Sequence, residues 1–353
     1  MSLVELRLGN LRCLQAADLT LHPRLNLITG ANGSGKTSLL EAIYLLGRGR
    51  SFRTRYTEQL IQQSAAKLWV AGRTEGLAAD DGRRIDLQCD RVAGVEARID
   101  RQRASSLAEL SEVFPVQIID PGIHRLIEEG PARRRRWLDW AMFHVEPLFL
   151  SQWQSYTRAL RQRNAALQAG SDPAPWELEL SRLGEPLSAS RARLIDALQP
   201  LWSDALRRLD VVPATLSFHA GWNREHSLME SLLRQRQGDR DRGSTRQGPH
   251  RFDVVLRVGA HPAREVISRG QQKLLGVAMS LCIARYVALA GKKPALLVDD
   301  PAAELDEAHT RALLLAVAEL GGQYVVTALR AQCIPPIIPD RVFHVEQGGV
   351  KRL

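Results

Sequence analysis

The sequence predicts an α/β fold whose halves are separated along the chain by a mostly helical insertion. Three observations carry this. A short strand, a glycine-rich loop and a helix follow one another over residues 25–46. A continuous apolar run, Ala295–Asp299, has the character of a central parallel strand, buried on both faces. Between them, from Pro131 onward, about 110 residues keep helical rather than strand periodicity.

Composition is consistent with such a fold. Of 353 residues, 44% are apolar and 25% charged, which suits a folded chain and excludes wholesale disorder. At roughly 150 residues per domain, the length suits two domains. The net charge is +9, and only 6 of the 48 basic residues are lysine. The excess is uneven: residues 151–300 carry +7. Such a surplus suits an anionic partner, or a GC-rich genome that writes Arg for Lys. Met1–Asn10 lacks the long apolar segment of a secretory signal. The stretch Leu274–Leu289 is interrupted by Arg285 and falls short of the ~20 residues that span a bilayer. Cys13, Cys89, Cys282 and Cys333 are scattered and form no CxxC pair, which argues against a zinc site or a disulfide framework. A cytoplasmic protein without a membrane segment is expected.

In chain order, alternating segments at Val4–Leu8, Leu25–Ile28, Leu68–Val70, Ile85–Cys89 and Val95–Ile99 read as strands, and the helix Lys36–Leu46 interrupts them. Pro131 suits the first turn of a helix that carries Trp137, Leu138, Ala141 and Met142 on its buried stripe. Further helices are expected at Leu150–Gln168 and Glu177–Leu209, broken by Gly170–Pro173, with a strand near Thr215–Phe218. The Arg-, Gln- and Asp-rich segment Arg234–Gln247 reads as a mobile loop. A strand at Asp253–Val258, a helix at Gln271–Ala288, the run Ala295–Asp299, a helix at Ala308–Glu319 and a strand at Tyr324–Thr327 follow. The expected organisation is 1–132 and 248–353 as the two halves of one domain, with 133–247 as a helical lobe.

Gly30-Ala31-Asn32-Gly33-Ser34-Gly35-Lys36-Thr37 fits G-x-x-x-x-G-K-[ST], with a strand entering and a helix leaving. Glycines let backbone N–H groups turn inward around a phosphate, and the helix N-terminus adds partial positive charge. Lys36 is placed to neutralise β- and γ-phosphates, and the Thr37 hydroxyl to ligate Mg²⁺. Late in the chain, Leu296-Leu297-Val298-Asp299-Asp300 is an apolar strand ending in paired carboxylates. Asp299 is the candidate Mg²⁺ holder and Asp300 the candidate general base. Ser268-Arg269-Gly270-Gln271-Gln272-Lys273 lies between the two. Its Ser268 and Gln271 also fit a helix capping box.

Ser268–Lys273 resembles the signature motif of ABC-type ATPases, which docks on the γ-phosphate of nucleotide held by a second subunit. That resemblance implies contacts from Ser268, Gly270 and Gln271. Gln117, in Pro115-Val116-Gln117-Ile118-Ile119, resembles the glutamine that senses Mg²⁺ and the attacking water. Glu304-Leu305-Asp306 resembles the loop that crosses the dimer interface.

Beyond these, Arg133–Trp140, Phe143–Pro147, Gln162–Leu167 and Gly248–Arg251 extend the likeness from end to end, so the whole chain resembles the RecF family of bacterial recombination mediators. The resemblance implies an ABC-type P-loop ATPase head, with a mixed sheet and flanking helices, plus the inserted helical lobe. It implies ATP and Mg²⁺ as cofactors, an ATP-dependent homodimer on DNA and slow, DNA-stimulated ATP hydrolysis. It further implies work with RecR and RecO at single-strand gaps during repair and replication, where RecA is loaded. Three departures bear on turnover: Ala303 where a Ser is usual, Pro301 directly after Asp300, and Thr327 where transporter ATPases place a switch histidine. A transporter's nucleotide-binding subunit and another SMC-like DNA clamp are the alternatives.

Three arginine clusters are candidate DNA contacts. Arg133, Arg134, Arg135 and Arg136 open a helix, and consecutive helical positions fan around the axis, so they cannot all face one partner. Arg240, Arg242 and Arg246 belong to a second cluster, and Arg48, Arg50, Arg53 and Arg55 form a third. Few aromatics interleave these runs, which favours phosphate contact with duplex DNA over base stacking; the family resemblance adds single-strand/duplex junctions as partners.

Overall fold

The computed structural model describes residues 1–76, 82–334 and 338–353. The chain divides into two compact units, Met1–Ile123 with Val287–Leu353, and His124–Tyr286.

The first unit opens with strands β1 (Ser2–Leu11), β2 (Leu14–Thr20) and β3 (Leu25–Thr29), then helix α1 (Lys36–Arg48). Strands β4 (Lys67–Glu75), β5 (Arg84–Asp90), β6 (Gly94–Ile99) and β7 (Gln102–Arg103), helix α2 (Leu107–Val113) and strand β8 (Val116–Ile119) follow. Six strands form an antiparallel sheet in the order β2-β1-β4-β5-β6-β7. β4 and β5 show why: buried and accessible residues alternate along them, the mark of one packed and one wetter face. Helix α1 ends at Gly49, which takes the left-handed conformation and donates its N–H to Leu45 O.

In the second unit, α3 (Arg125–Glu128), α4 (Pro131–Val145), α5 (Phe149–Gln168) and α6 (Ala174–Arg208) lead to strand β9 (Thr215–His219) and helix α7 (Leu228–Arg242). Strands β10 (Asp253–Val258) and β11 (His261–Pro262) and helices α8 (Ala263–Val266) and α9 (Arg269–Leu289) complete it. β10 pairs antiparallel with β9 and β11. Helix α6 runs through Pro186 and Pro200 as one 35-residue element.

The expected loop at Arg234–Gln247 is instead largely helix α7. Its polarity looked loop-like, but arginine and glutamine are good helix formers. Ser227 and Glu230 build a complete capping box at its start, and Gly243 in the left-handed conformation closes its end. Leu228, Leu232 and Asp239 are its buried face.

The expected cuts at 132 and 248 also move. Residues 248–286 belong to the second unit because β10 pairs with β9, and Trp137 Nε1 donates to Met279 O at 3.0 Å. Helix α9 is longer than the sequence suggested. By length and composition it could cross a membrane, yet 67% of its most apolar window is buried inside the protein, as in a core helix.

The chain returns to the first unit with β12 (Ala295–Val298), α10 (Pro301–Glu304), α11 (Glu307–Ala318), β13 (Tyr324–Ala328), β14 (Arg341–Glu346) and β15 (Gly349–Arg352). The second six-stranded sheet has the order β15-β14-β3-β13-β12-β8. All its pairs are parallel except the β14–β15 hairpin, so the sheet is mixed, as expected. One apolar core joins residues of both sheets, among them Leu6, Leu68, Leu297, Val325 and Phe343, with Leu39, Ile43 and Leu46 of α1. Strand β13 thus lies between β3 and β12, although it is later in the chain than both.

Candidate functional site

β3 is buried along its whole length and delivers the chain into the glycine loop at the carboxyl end of the parallel strands. Two glycines here are obligatory. Gly30 adopts φ 151°, and a Cβ on it would lie 2.3 Å from Val345 O. Gly35, at φ 118°, is the N-cap of α1, and a Cβ there would meet Leu14 at 2.9 Å. A larger residue at either position would push the loop off its path.

Lys36 is buried, and its Nζ donates to Gly30 O at 2.7 Å and Ala31 O at 3.1 Å. Among the described residues this ammonium makes no ion pair within 4 Å; its direct hydrogen-bond partners are backbone carbonyls. A buried cation of that kind is completed by an anion. Ser34 Oγ is buried with no hydrogen-bond partner, a second orphan polar group in the same loop. Ala31, Asn32 and Gly33 are exposed at the loop's outer rim.

At the mouth of the loop the Thr37 hydroxyl donates to Asp299, 3.1 Å from Oδ1 and 3.0 Å from Oδ2. Asp299 follows the last residue of β12 and is buried; its N–H still bonds to Ile119 O of β8 at 2.9 Å. A hydroxyl and a carboxylate are the hard oxygen donors that Mg²⁺ takes. The donor set of Gly30–Thr37 and Asp299 therefore fits a nucleoside triphosphate with its magnesium.

Asp300 is next. It sits at φ 46°, ψ 58°, the left-handed region, and Pro301 follows as the first residue of α10. Burial raises its pKa above the ordinary aspartate value; Lys36 opposes the shift, while Asp299 and Glu304 add to it. A carboxyl with raised proton affinity suits a general base better than an ordinary one. Gln117 is half-buried on β8 in register with Leu296 of β12, three residues before Asp299, so the strand pairing does not set it level with the carboxylates.

The sequence did not reveal two supports. Glu41 of α1 is fully buried and accepts from Arg12 Nη2 at 2.9 Å and also from Ser51. That pair ties α1 to the β1–β2 turn, and no spacing rule links residues 12 and 41. The second support is Thr327 of β13, whose hydroxyl donates to Asp299 Oδ1 at 2.8 Å.

Ser268, Gly270 and Gln271 belong to the second unit, at the start of α9. Gln271 N donates to Ser268 Oγ at 3.3 Å and Ser268 N donates to Gln271 Oε1 at 3.1 Å. The capping box expected as one reading of this motif is therefore present. Ser268 and Gly270 are exposed.

The four arginines at 133–136 fan around the helix axis, as their consecutive positions required. Arg134 is buried and gives two hydrogen bonds of 2.9 Å to Asp253, with others to Leu126 O and Glu129 O. Arg135 donates to Phe252 O at 3.0 Å, and Arg133 pairs with Glu129. Helical geometry forces this split, because adjacent residues point about 100° apart. Arg240, Arg242 and Arg246 are exposed, and among the described residues their guanidinium groups make no ion pair. Of the third cluster, Arg50, Arg53 and Arg55 are exposed.

A P-loop feeding from a mixed sheet, paired carboxylates at the end of a neighbouring strand, and an antiparallel sheet sharing the same core define an ATPase head of the ABC type. The chain belongs to the RecF family. The model of the RecF/RecN/SMC N-terminal domain matches residues 2–350. The "DNA replication and repair protein RecF" of Pseudomonas fluorescens (strain SBW25) is 39% identical over 360 residues, which is 99% of this chain and 98% of that one. The protein of the same description from Pseudomonas aeruginosa (strain LESB58) is 39% identical over 365 residues, 100% of this chain and 98% of its own. A solved structure of the recombination mediator protein RecF with ATP in the RecFOR pathway superposes with a TM-score of 0.86 at 25% identity, covering 100% of this chain and 97% of that one. An Smc head bound to the C-terminal winged-helix domain of ScpA has a TM-score of 0.61 at 16% identity and shares the fold. Full-length kinship with RecF decides against the transporter subunit.

Proposed function

We propose that this protein is an ATP-dependent DNA-binding protein of recombinational repair and replication restart. It closes as a homodimer on DNA and hydrolyses ATP slowly, with stimulation by DNA. The observation that carries the reading is the Thr37–Asp299 pair at the mouth of a phosphate loop, in a chain related to RecF proteins along its whole length.

Each residue has its share of the work. The amides of Gly30–Gly35 and the Lys36 ammonium hold the β- and γ-phosphates. Thr37 and Asp299 hold Mg²⁺, whereas Gln117, level with Leu296 on β8, stands back from that pair. Bound Mg²⁺ neutralises charge on the phosphates. Asp300 orients the attacking water and accepts its proton. Ser268, Gly270 and Gln271 of a second copy cover the γ-phosphate, so that nucleotide bridges the dimer. The Ser268–Gln271 cap fixes the start of α9, whose N-terminus carries the partial positive charge that suits a phosphate.

The partners of this reading are duplex DNA and single-strand/duplex junctions, together with RecO and RecR at gaps where RecA is loaded. The RecFOR setting of the related structure supports them. The protein is cytoplasmic and nucleoid-associated. Sizing with ATP and Mg²⁺, alongside ATP turnover with and without DNA, tests the whole reading. Wild type should dimerise and respond to DNA, while Ser268→Arg should stay monomeric with nucleotide still bound. A Ser268→Arg protein that dimerises as well as wild type overturns the bridged dimer.

A further inference from the structure

Thr327 is the fourth residue of β13 and is fully buried. Its neighbours across the sheet are Ile28 of β3 on one side and the end of β12 on the other. A threonine hydroxyl has one hydrogen to give and lone pairs to receive. Here both capacities are spent on adjacent residues. Oγ1 donates to Asp299 Oδ1 at 2.8 Å and accepts the Asp300 N–H at 2.8 Å.

The second bond matters because the strand ladder ends there. Asp299 N is still paired with Ile119 O of β8. One residue later the chain turns sharply, Asp300 enters the left-handed region, and Pro301 begins a new helix. A non-glycine residue holds such a conformation only where its surroundings over-determine it. Thr327 is one of those determinants. The first bond acts on the other carboxylate. Asp299 receives the Thr37 hydroxyl on both oxygens, which alone leaves the carboxylate free to pivot. The Thr327 hydroxyl on Oδ1 sets that pivot.

We infer that Thr327 is a positioning residue for ATP hydrolysis: its one hydroxyl fixes the orientation of the Asp299 carboxylate and the direction in which Asp300 presents its own. It takes the strand-end position where transporter ATPases place a histidine. It works from behind the carboxylates, away from the phosphates. This inference rests on the ATPase reading above.

The test compares Thr327→Val, which keeps the volume and deletes the hydroxyl, with Thr327→Ser, which keeps the hydroxyl. Wild type, both variants and Thr327→Val in an Asp300→Asn background are assayed with DNA. Thr327→Val should lose about 10- to 100-fold in kcat, as outer-shell partners of metal ligands do. Its KM for ATP should stay within about threefold, since Lys36 and the loop amides are untouched. The Mg²⁺ concentration giving half-maximal turnover should rise. Binding of a fluorescent ATP analogue without Mg²⁺ should be unchanged. Thr327→Ser should recover most of the rate. In the Asp300→Asn background at saturating Mg²⁺, Thr327→Val should cost little more in kcat, because the group it aims is gone, while the Mg²⁺ requirement should still rise through Asp299.

Thr327→Ala, which also lacks the hydroxyl but demands less space, serves if Thr327→Val does not fold. Equal kcat in wild type and the hydroxyl-free variant overturns the inference, as does a Thr327→Ser protein as slow as Thr327→Val. A wild type that neither binds nor hydrolyses ATP overturns the ATPase reading instead.

Discussion

The hydroxyl of Thr37 donates to both carboxylate oxygens of Asp299, although the two residues stand 262 positions apart in the chain. That pair is the join between the N-terminal and C-terminal portions of the first unit at the place where chemistry is expected. The strand order makes it possible. β3, which leads to Thr37, and β12, which ends at Asp299, are separated by the single strand β13, so their carboxyl ends open on the same edge.

Removing either member of this pair should abolish the benefit that Mg²⁺ brings to nucleotide binding. Thr37→Val and Asp299→Asn should each bind ATP with Mg²⁺ at least about tenfold more weakly than wild type. Their binding without Mg²⁺ should match wild type within about twofold. Calorimetry in both conditions reads the difference.

Asp300→Asn should separate clamping from turnover. Loss of a general base costs roughly 10²–10⁴-fold in rate, while the ATP-dependent dimer seen by sizing should persist. Stability gives an independent readout. Burial raises the Asp300 pKa, so the folded state holds this proton more tightly than the unfolded chain does. Its ionised form therefore disfavours folding once pH passes the ordinary carboxylate range. Asp300→Asn should melt higher than wild type at neutral pH, with the gap closing toward pH 4. The acid limb of the wild-type ATPase profile should lie above the usual aspartate value.

The arginines should separate into two classes. Arg134→Ala leaves Asp253 half-buried without its partner and should cost about 3–5 kcal/mol of stability, read by denaturant unfolding. Replacing Arg240, Arg242 and Arg246 together by Ala should leave stability nearly unchanged and weaken DNA binding. The slope of log affinity against log salt should fall by about 0.9 for each duplex phosphate that is no longer neutralised. A triple variant with the wild-type salt slope would remove this face from the DNA surface.

The helical unit should be acid-sensitive through His250. Its Nε2 faces Thr245 O at 3.0 Å and so carries the hydrogen, which leaves Nδ1 to accept from the Tyr156 hydroxyl at 2.8 Å. Burial pushes its pKa down to about 4 from the ordinary 6.5. The unfolded chain protonates this ring first as pH falls. Stability is therefore full above about pH 6.5 and declines from there toward pH 4, by about 3 kcal/mol if the whole shift is realised. Melting curves of wild type and His250→Gln across this range should converge as the pH drops.

The local features of the site were legible in the chain. Gly30–Thr37, the apolar strand ending in Asp299–Asp300 and the Ser268–Gln271 cap depend on residue types at short spacing, and each appears at its expected place. The proline at the start of α4 and the strands Lys67–Glu75 and Arg84–Asp90 were legible for the same reason. Helix α7 was not, because a mostly solvated helix carries little apolar periodicity and its buried anchor is a charge. Asp239 accepts from the fully buried Arg163 at 2.7 Å, and Arg163 also reaches Glu177 at 2.9 Å. A sequence of Arg, Gln and Asp cannot say which of them will be buried as pairs.

The sequence by itself determined that a phosphate loop, a carboxylate strand and a capped helix at Ser268–Gln271 exist, since backbone preference and side-chain period are local properties. Tertiary structure alone decided which groups meet. It set Arg134 inside and Arg136 outside within one helical turn. It slid β13 between β3 and β12, and so placed the Thr327 hydroxyl where both aspartates need it. Hydrogen bonds act over about 3 Å, and only the folded order of strands brings residues hundreds of positions apart within that reach.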